Sequence, residues 1–174
     1  MGVYPDRRIN GCILCNMTPV CRIPVLTQGF IMKENSRQAA INAVIQRDPF
    51  AARLGAQVEI LAPGHSRASL TVTEDMVNFH GITHGGVIFA LSDIAFASAS
   101  NSHGEVRVAL NVNIHFLKAT KPGARLVAEA RETYTGGRTA LYDITVIDQD
   151  TGEAVAQSQD LVYRKREWFV PPAE

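Results

Sequence analysis

The chain has 174 residues, of which 46% are hydrophobic and 20% charged, which suits one globular domain with a single core. Its 17 basic and 17 acidic residues cancel, so the one-sided positive charge of a nucleic-acid-binding protein is absent. The longest apolar run, residues 87–99, is interrupted by Ser92 and Asp93 and is shorter than the roughly 20 residues that a membrane span needs. We therefore expect neither nucleic acid nor a membrane as partner.

The first 31 residues differ in composition from the rest of the chain. They contain all three cysteines, two of them spaced C-x2-C, but no second pair or histidine completes a zinc signature there. We predict that residues 1–31 are a disordered leader or upstream extension, with a folded domain at 32–165 that starts at Met32. Residues 166–174 are predicted to form a C-terminal tail that extends over the surface, with docking of Trp168 and Phe169 on a neighbour as the alternative. A cysteine-free body fits a reducing cytoplasm.

Two short elements precede the centre of the chain. Apolar residues recur at helical spacing from Ser36, and Asp48-Pro49 ends the run because a residue before proline avoids the helical region. The runs AQVEILA and RASLTV (56–62 and 67–72) then flank the turn PGHS. This pattern predicts a short amphipathic helix followed by a β-hairpin.

The stretch HGGVIFALSD (84–93) begins a long apolar segment. From Gly85 to about Ser102, large apolar residues alternate with Ala and Ser, so the segment is apolar nearly all round. A helix of that kind is buried, and about 18 residues would extend roughly 27 Å. We predict a central helix wrapped by a sheet.

Strands are predicted from Val106 onward, where the alternation has period two. One face of the first strand is predicted to carry Val106, Val108, Leu110, Val112, Ile114 and Phe116. Three more strands are predicted at 125–133, 139–147 and 154–163, separated by short turns. Consecutive strands joined by short turns form an antiparallel sheet, so the predicted fold class is α+β.

Three motifs carry a resemblance to a known family. MVNFHGITHGGVIFALSDIAFASASNSHG (76–104), FLKAT (116–120) and GGRTALYDITV (136–146) closely resemble the phenylacetic acid degradation (PaaI-like) acyl-CoA thioesterases. The resemblance covers roughly residues 48–163 and implies the hot-dog fold, a curled antiparallel sheet around one helix. It also implies hydrolysis of an acyl-CoA, of aryl-acetyl or medium-chain type, without metal or cofactor. The implied assembly is a homodimer with shared active sites, paired into a homotetramer.

The resemblance also implies roles for particular residues. Gly85 matches the helix-start glycine that polarises the thioester carbonyl, and Asp93 matches the catalytic carboxylate. Asn78 and His84 match supporting residues. Asn111 stands where the family often has a small polar residue on the strand after the helix.

The chemistry of a thioester explains these residue types. A carbonyl under attack develops negative charge, which unpaired N–H groups at a helix start stabilise, and Gly85 and Gly86 let a substrate approach that backbone closely. Asp93 would act as a general base on water or as a nucleophile. The eight residues between Gly85 and Asp93 correspond to a rise of about 12 Å, so the two must serve one site from different subunits.

Each assignment has a structural alternative. A lone aspartate in a buried helix is often a hydrogen-bonded structural group, and two glycines can mark a helix start or close packing. Asn78 can cap a loop. His80 and His84, four residues apart, have the spacing of metal ligands, although Gly81 and the turn-like context argue against a helical pair, and no metal is predicted.

The turn TGGRT is a candidate binding site for the phosphates of coenzyme A. Gly137 and Thr139 provide backbone donors and Arg138 provides a guanidinium, although an ordinary hairpin turn has the same composition. Two other functions stay open for the whole chain: an enoyl- or hydroxyacyl-CoA hydratase of the same fold, and a non-catalytic acyl-CoA binding module.

Overall fold

The structure is a computed structural model that describes residues 25–172. Most of the predicted leader, with its three cysteines, lies outside the described residues. The elements in chain order are α1 (Val25–Ile45), α2 (Pro49–Leu54), β1 (Gln57–Ala62), β2 (His65–Thr71), a 3₁₀ turn (Glu74–Met76), α3 (Gly85–Asn101), β3 (Glu105–Phe116), β4 (Arg125–Thr135), β5 (Thr139–Asp148) and β6 (Ala154–Trp168).

Helix α1 begins earlier than the sequence predicted. It starts at Val25, so the predicted domain boundary at Met32 falls inside the helix. The chain leaves the helix before Asp48, whose carboxylate caps α2 by accepting hydrogen bonds from the N–H groups of Phe50 (2.8 Å) and Ala51 (3.2 Å). Proline occupies the first position of α2, where its missing N–H costs nothing. The helix and its predicted stop are therefore confirmed, but the helix has 21 residues and is not the short helix predicted from Ser36.

The six strands form one antiparallel sheet in the order β1-β2-β4-β5-β6-β3. Helix α3 contacts all six of them, which requires the sheet to curl around the helix. The predicted hairpin is β1 and β2, and the predicted strands after the helix are β3 to β6. The α+β fold class is confirmed. None of the described helices combines the length and apolar character needed to cross a membrane.

The composition of α3 explains its position at the centre of the core. Alanine and serine at many positions let the strands approach closely, while Leu91, Ile94 and Phe96 fill the space between helix and sheet. The Phe96 ring packs edge-on against Tyr142, with centroids 5.4 Å apart. Ser66 Oγ on β2 donates to the carbonyl of Ala95 (2.6 Å) and so ties the sheet to the helix.

A bulge in β3 overturns one sequence prediction. The pairing with β6 shifts between Ala109 and Asn111, so the strand exchanges its faces there. Before the bulge, Arg107 points into the core and Val108 is 40% exposed; after it, Val112 packs against the core. The prediction of one continuous apolar face from Val106 to Phe116 was wrong, because an inserted residue reverses a period of two.

The predicted C-terminal tail packs on its own chain. Strand β6 continues to Trp168, beyond the predicted domain boundary at 165, and the N–H of Phe169 donates to the carbonyl of Gly104 (3.0 Å). The Arg37 guanidinium on α1 lies 5.7 Å from the centroid of the Trp168 ring and donates to the carbonyl of Pro171 (2.8 Å). The tail therefore fastens α1 to the end of the sheet.

Candidate functional site

The loop before α3 is a tight turn closed by its own backbone. The N–H of Asn78 donates to the carbonyl of Ile82 (2.8 Å), and the N–H of Gly81 donates back to Asn78 (2.9 Å). Gly81 has a positive φ of 73°, which favours glycine. Asn78 Oδ1 accepts from the N–H of His80 (2.9 Å), whereas its Nδ2 has no partner among the described residues. The loop thus fixes the position of Asn78, and the two N–H donors of its side-chain amide have no partner among the described residues.

His84 sets the start of α3. Its Nδ1 accepts a hydrogen bond from the N–H of Gly86 (2.9 Å), so the histidine is the N-cap of the helix and its neutral ring carries the proton on Nε2. A Cβ at position 86 would lie 3.0 Å from that Nδ1, which explains the glycine there. The cap therefore bonds the N–H of Gly86 and not that of Gly85. The N–H of Gly85 has no hydrogen-bond partner among the described residues.

A groove brings two of the predicted site residues together. Its volume is about 250 Å³ and it is lined by Asn78, Ile82, Thr83, Gly85, Ile88, Phe116, Leu117, Lys118 and Ala119. A Cβ at Gly85 would lie 3.5 Å from the Phe116 ring, so any side chain there would fill the space between helix start and ring. The glycine is therefore needed to keep the groove open rather than for its backbone conformation.

Sequence reasoning missed the far wall of this groove. Phe116 ends β3, and Leu117 and Ala119 belong to the segment that follows it. This segment is joined to the loop by a hydrogen bond from the N–H of Thr83 to the carbonyl of Thr120 (2.9 Å). The motif FLKAT covers this segment, and its place in the family resemblance was the signal that would have identified it.

Asp93 lies two turns further along α3. The carboxylate is partly buried and has neither a hydrogen bond nor an ion pair among the described residues. Burial raises its pKa above the usual range for an aspartate, and the negative charge of Asp48 raises the pKa further. A structural aspartate in a core normally has donors around it, so the unpartnered carboxylate favours a chemical role.

Asp93 does not line the groove of its own subunit. It is eight residues from Gly85 on a continuous helix, a rise of about 12 Å. Asn111 does not line the groove either, because it lies exposed at the bulge of the edge strand β3. Within one chain the structure therefore joins Asn78 and Gly85, with His84 capping the same helix start, and leaves the carboxylate apart.

The turn at 136–139 is held by arginines of β6. Arg164 Nη1 donates to the carbonyl of Gly136 (2.9 Å) and Arg166 Nη2 to that of Gly137 (3.4 Å). Arg138 lies over the Tyr163 ring, 5.7 Å from its centroid, and hydrogen-bonds its hydroxyl group. Arg164 is also paired with Glu105 (2.9 Å), so the positive charge of this turn comes from Arg138 and Arg166.

The turn and the groove lie at opposite ends of β6. Phe116 beside the groove pairs with Ala156, whereas Thr139 at the turn pairs with Tyr163. Seven residues along a strand span about 23 Å. A ligand that reaches both must therefore be long, or must take the two from different subunits.

The two histidines near the helix start have separate surroundings. His80 lies in the exposed turn with its ring 4.1 Å from that of Phe79, whereas His84 uses Nδ1 for the helix cap. Within residues 25–172, the structure contains no group of three or more His, Cys, Asp or Glu side chains arranged to hold a metal ion.

A curled antiparallel sheet around one buried helix, with an open N–H at the helix start, defines a protein of the hot-dog fold. Residues 80–155 match the thioesterase superfamily. A protein of Archaeoglobus fulgidus described as a putative esterase is 37% identical over 118 residues, which are 68% of this chain and 76% of that protein. The chain belongs to the thioesterase superfamily, so the predicted family and its activity, thioester hydrolysis, are confirmed.

Other relatives agree with this assignment. The acyl-coenzyme A thioesterase PaaI of Escherichia coli is 37% identical over 108 residues, 62% of this chain and 77% of that protein. Its solved structure superposes with a TM-score of 0.70 and 33% identity over 74% of this chain and 94% of that one. A Streptococcus mutans structure bound to acetyl CoA superposes with a TM-score of 0.61 and 28% identity over 65% of this chain and 90% of that one.

Proposed function

We propose that the protein hydrolyses the thioester of an acyl-coenzyme A to a free acid and coenzyme A. The observation that carries the proposal is the N–H of Gly85, which has no partner among the described residues and belongs to a residue that lines a groove together with Asn78. The names of the relatives support it, since PaaI of E. coli is an acyl-coenzyme A thioesterase and the S. mutans protein holds acetyl CoA. No metal or cofactor takes part; coenzyme A belongs to the substrate.

The proposed chemistry assigns a step to each group. The Gly85 N–H, at the positive end of the α3 dipole, stabilises the oxyanion that forms when the carbonyl is attacked. Asp93 supplies the attacking group, as a general base that takes a proton from water or as a nucleophile that forms a mixed anhydride. The C–S bond then breaks and the coenzyme A thiolate leaves, taking up the proton held by Asp93 in the general-base route. In the nucleophilic route water then hydrolyses the anhydride, which releases the acid and regenerates the carboxylate. Asn78 positions the reacting group, and His84 holds the helix start in shape.

The proposed active unit is a homodimer. One chain separates Gly85 from Asp93 by about 12 Å, so two antiparallel α3 helices across a twofold axis would bring each Gly85 near the partner subunit's Asp93. The edge strand β3 supports this arrangement, because Val108 (40%) and Leu110 (55%) are exposed on it and its outer backbone has no strand to pair with among the described residues. Two such dimers would form the homotetramer.

The proposed substrate spans both ends of the sheet. The groove walls from Ile88 and Phe116 are apolar, which suits an aryl-acetyl or medium-chain acyl group. The turn with Gly137, Arg138 and Thr139 would bind the coenzyme A phosphates, since its guanidinium groups are well matched to phosphate. Within one chain about 23 Å separates the turn from the groove. In the proposed antiparallel dimer, the turn of one subunit would lie toward the groove of the other, which would shorten the distance that the substrate has to span. The proposed compartment is the cytoplasm, in keeping with a body free of cysteine after Cys21.

The first experiment is a thiol-release assay over phenylacetyl-, benzoyl-, short-chain and long-chain CoA thioesters. We expect Asp93→Asn and Asp93→Ala to lower kcat by about 10²–10⁴-fold, as expected for loss of a general base. Asp143→Asn is the matched control, since that aspartate is exposed on the outer face of β5. Near-wild-type turnover by a folded Asp93 variant would refute the role of this carboxylate. Hydration of crotonyl-CoA, or tight binding without hydrolysis, would indicate one of the other two functions.

The shared site has its own test. Heterodimers of an Asp93→Ala subunit and a Gly85 variant contain one intact site, so mixing the two inactive proteins should restore part of the activity. Absence of complementation despite demonstrated subunit exchange would contradict the dimer. Leu110→Asp on the exposed edge strand should dissociate the protein in light scattering and abolish hydrolysis together.

A further inference from the structure

A buried aspartate on β6 takes no part in the proposed reaction. Asp160 lies in the middle of the strand, between Tyr142 on β5 and Val112 on β3. The residue is fully buried, on the side of the sheet that faces α3. A carboxyl group is rare in such a place unless it is paired or hydrogen-bonded, so its surroundings decide its ionisation state.

Only one of the two carboxyl oxygens has hydrogen bonds. Ser158 Oγ donates to Oδ1, and the nearby backbone N–H of Asn113 lowers the pKa of the carboxyl group. Oδ2 has no hydrogen-bond partner among the described residues. An ionised carboxylate would leave part of its charge uncompensated in a low-dielectric interior, which is strongly unfavourable, whereas the neutral acid leaves one weakly polar group unpaired. The structure around Asp160 therefore favours the protonated form.

Asp93, the proposed catalytic carboxylate, also favours the protonated form of Asp160. Burial raises the pKa of Asp160 most, and the negative charge of Asp93 on α3 raises it further, against the lowering effect of the hydrogen bond from Ser158 and of the nearby backbone N–H of Asn113. The pKa of Asp93 is raised by burial and by Asp48. When two acids interact, ionisation of one opposes ionisation of the other, so the acid with the less favourable surroundings keeps its proton.

No cation of the core neutralises this pair. Arg107 on β3 also faces the core, but its guanidinium binds Glu105 (3.3 Å), Glu132 (2.7 Å) and the Tyr142 hydroxyl (2.8 Å). Tyr142 on β5 also binds Glu132, and its pKa is raised by burial, so it stays neutral. Asp48, from the segment before α2, adds a negative charge. Among the described residues, the pair is therefore without a basic partner.

We propose that Asp160 is a buried neutral acid in the working protein: it keeps its proton at neutral pH, so that the negative charge of the two aspartates resides on Asp93. The inference rests on the proposed function, because it acts through the carboxylate assigned there. It accounts for Ser158, which orients the buried acid, and for the absence of a cation beside it.

The pH profile of Asp160→Asn tests the proposal. The amide is close in shape to the protonated acid, and its oxygen keeps the hydrogen bond from Ser158. We expect kcat/KM at pH 7 within about threefold of the wild-type value and an unchanged apparent pKa of the acid limb. A downward displacement of that limb by about one unit or more would mean that Asp160 is ionised in the wild type, and would overturn the proposal. Loss of activity in a folded Asp160→Asn protein would overturn it too. Asp143→Asn is the matched control.

A second readout does not depend on catalysis. Because the pKa of Asp160 is raised in the folded protein, its protonation stabilises the fold at low pH, and this contribution is lost as pH rises from the ordinary aspartate value of 3.8 through the folded value. Asp160→Asn should therefore gain unfolding free energy relative to wild type as pH rises above about 4, with no such gain below. A difference that is constant over pH would overturn the proposal. If Asp93→Asn retained full activity, the proposed function would fail while this comparison still reported on Asp160.

A measurement on the wild-type protein covers the case in which Asp160→Asn does not fold. Carboxylic acids and carboxylates have separate C=O bands in the infrared spectrum in D₂O. A band of a protonated carboxylic acid at pH 7 would support the proposal, and its absence would overturn it. Ser158→Ala, which removes one hydrogen bond to Oδ1, should change the position of that band.

Discussion

Glu132 allows a prediction whose size follows from the structure. Its carboxylate accepts hydrogen bonds from Arg107 (2.7 Å) and from the hydroxyl of Tyr142, and lies 3.0 Å from His103 Nε2, while its side chain is only 18% exposed. Burial alone would raise the pKa of Glu132, but these partners outweigh it and lower the pKa from 4.5 to about 2. The group should therefore stabilise the fold in a pH-dependent way.

The sign and size of this pH dependence follow from the linkage between proton binding and folding. Above about pH 5 the carboxylate is ionised in both folded and unfolded protein, and the stabilisation is fully present. As pH falls, the unfolded chain binds a proton near 4.5 while the folded chain does not until about 2, so the stabilisation is lost over that window. The difference between the pKa values of Glu132 in the unfolded and folded protein corresponds to about 3 kcal/mol of stabilisation. Solvent screening of the partly accessible carboxylate reduces this stabilisation to about 2 kcal/mol.

The assay is urea unfolding of wild type and Glu132→Gln between pH 7 and pH 2, at one protein concentration because an oligomer's stability depends on it. We expect Glu132→Gln to be about 2 kcal/mol less stable at pH 7 and equal to wild type near pH 2. Glu153→Gln is the matched control, since that side chain pairs with Lys118 at the surface and is 51% exposed, and its curve should follow the wild type. A difference between wild type and Glu132→Gln that stayed constant from pH 7 to pH 2 would refute the reasoning.

Two glycines and two carboxylates give further predictions. Gly85→Ala should fold with wild-type stability, because the new Cβ would lie at an ordinary contact distance of 3.5 Å from the Phe116 ring. Its kcat/KM should fall about 10²-fold, because the methyl group keeps the substrate carbonyl from the N–H, and a fully active variant would contradict that role. Gly86→Ala should instead lose about 1 kcal/mol in thermal unfolding, because its Cβ would crowd the cap at 3.0 Å from His84 Nδ1, and unchanged stability would refute this. The acid limb of the kcat/KM profile should lie above pH 3.8, because the pKa of Asp93 is raised, with activity lost as pH falls through it. Asp48→Asn removes a charge but keeps a good helix cap, so the limb should move to lower pH; a limb that stayed in place would show that Asp48 has no influence.

The local patterns of the sequence contain most of the fold. The apolar segment from Gly85 predicted α3 to within one residue at its end, because burial on all sides leaves a composition that no exposed helix has. Alternation predicted β4, β5 and β6, and Pro49 predicted the end of the helical run before it. The dimer hypothesis also needs no coordinates, since the rise of a helix alone separates Gly85 from Asp93.

Tertiary packing decided what these periodic patterns do not record. The bulge at Ala109 turned Arg107 inward to complete an ion-pair network with Glu105 and Glu132, because an inserted residue changes the face of every position before it. The groove likewise depends on the segment after β3 crossing over the start of α3, a contact between residues more than 30 positions apart. In the sequence Asp160 is one residue of a predicted strand. Only the fold buries it, leaves one oxygen without a partner among the described residues and brings it under the electrostatic influence of Asp93, because burial and long-range charge are properties of the packed chain.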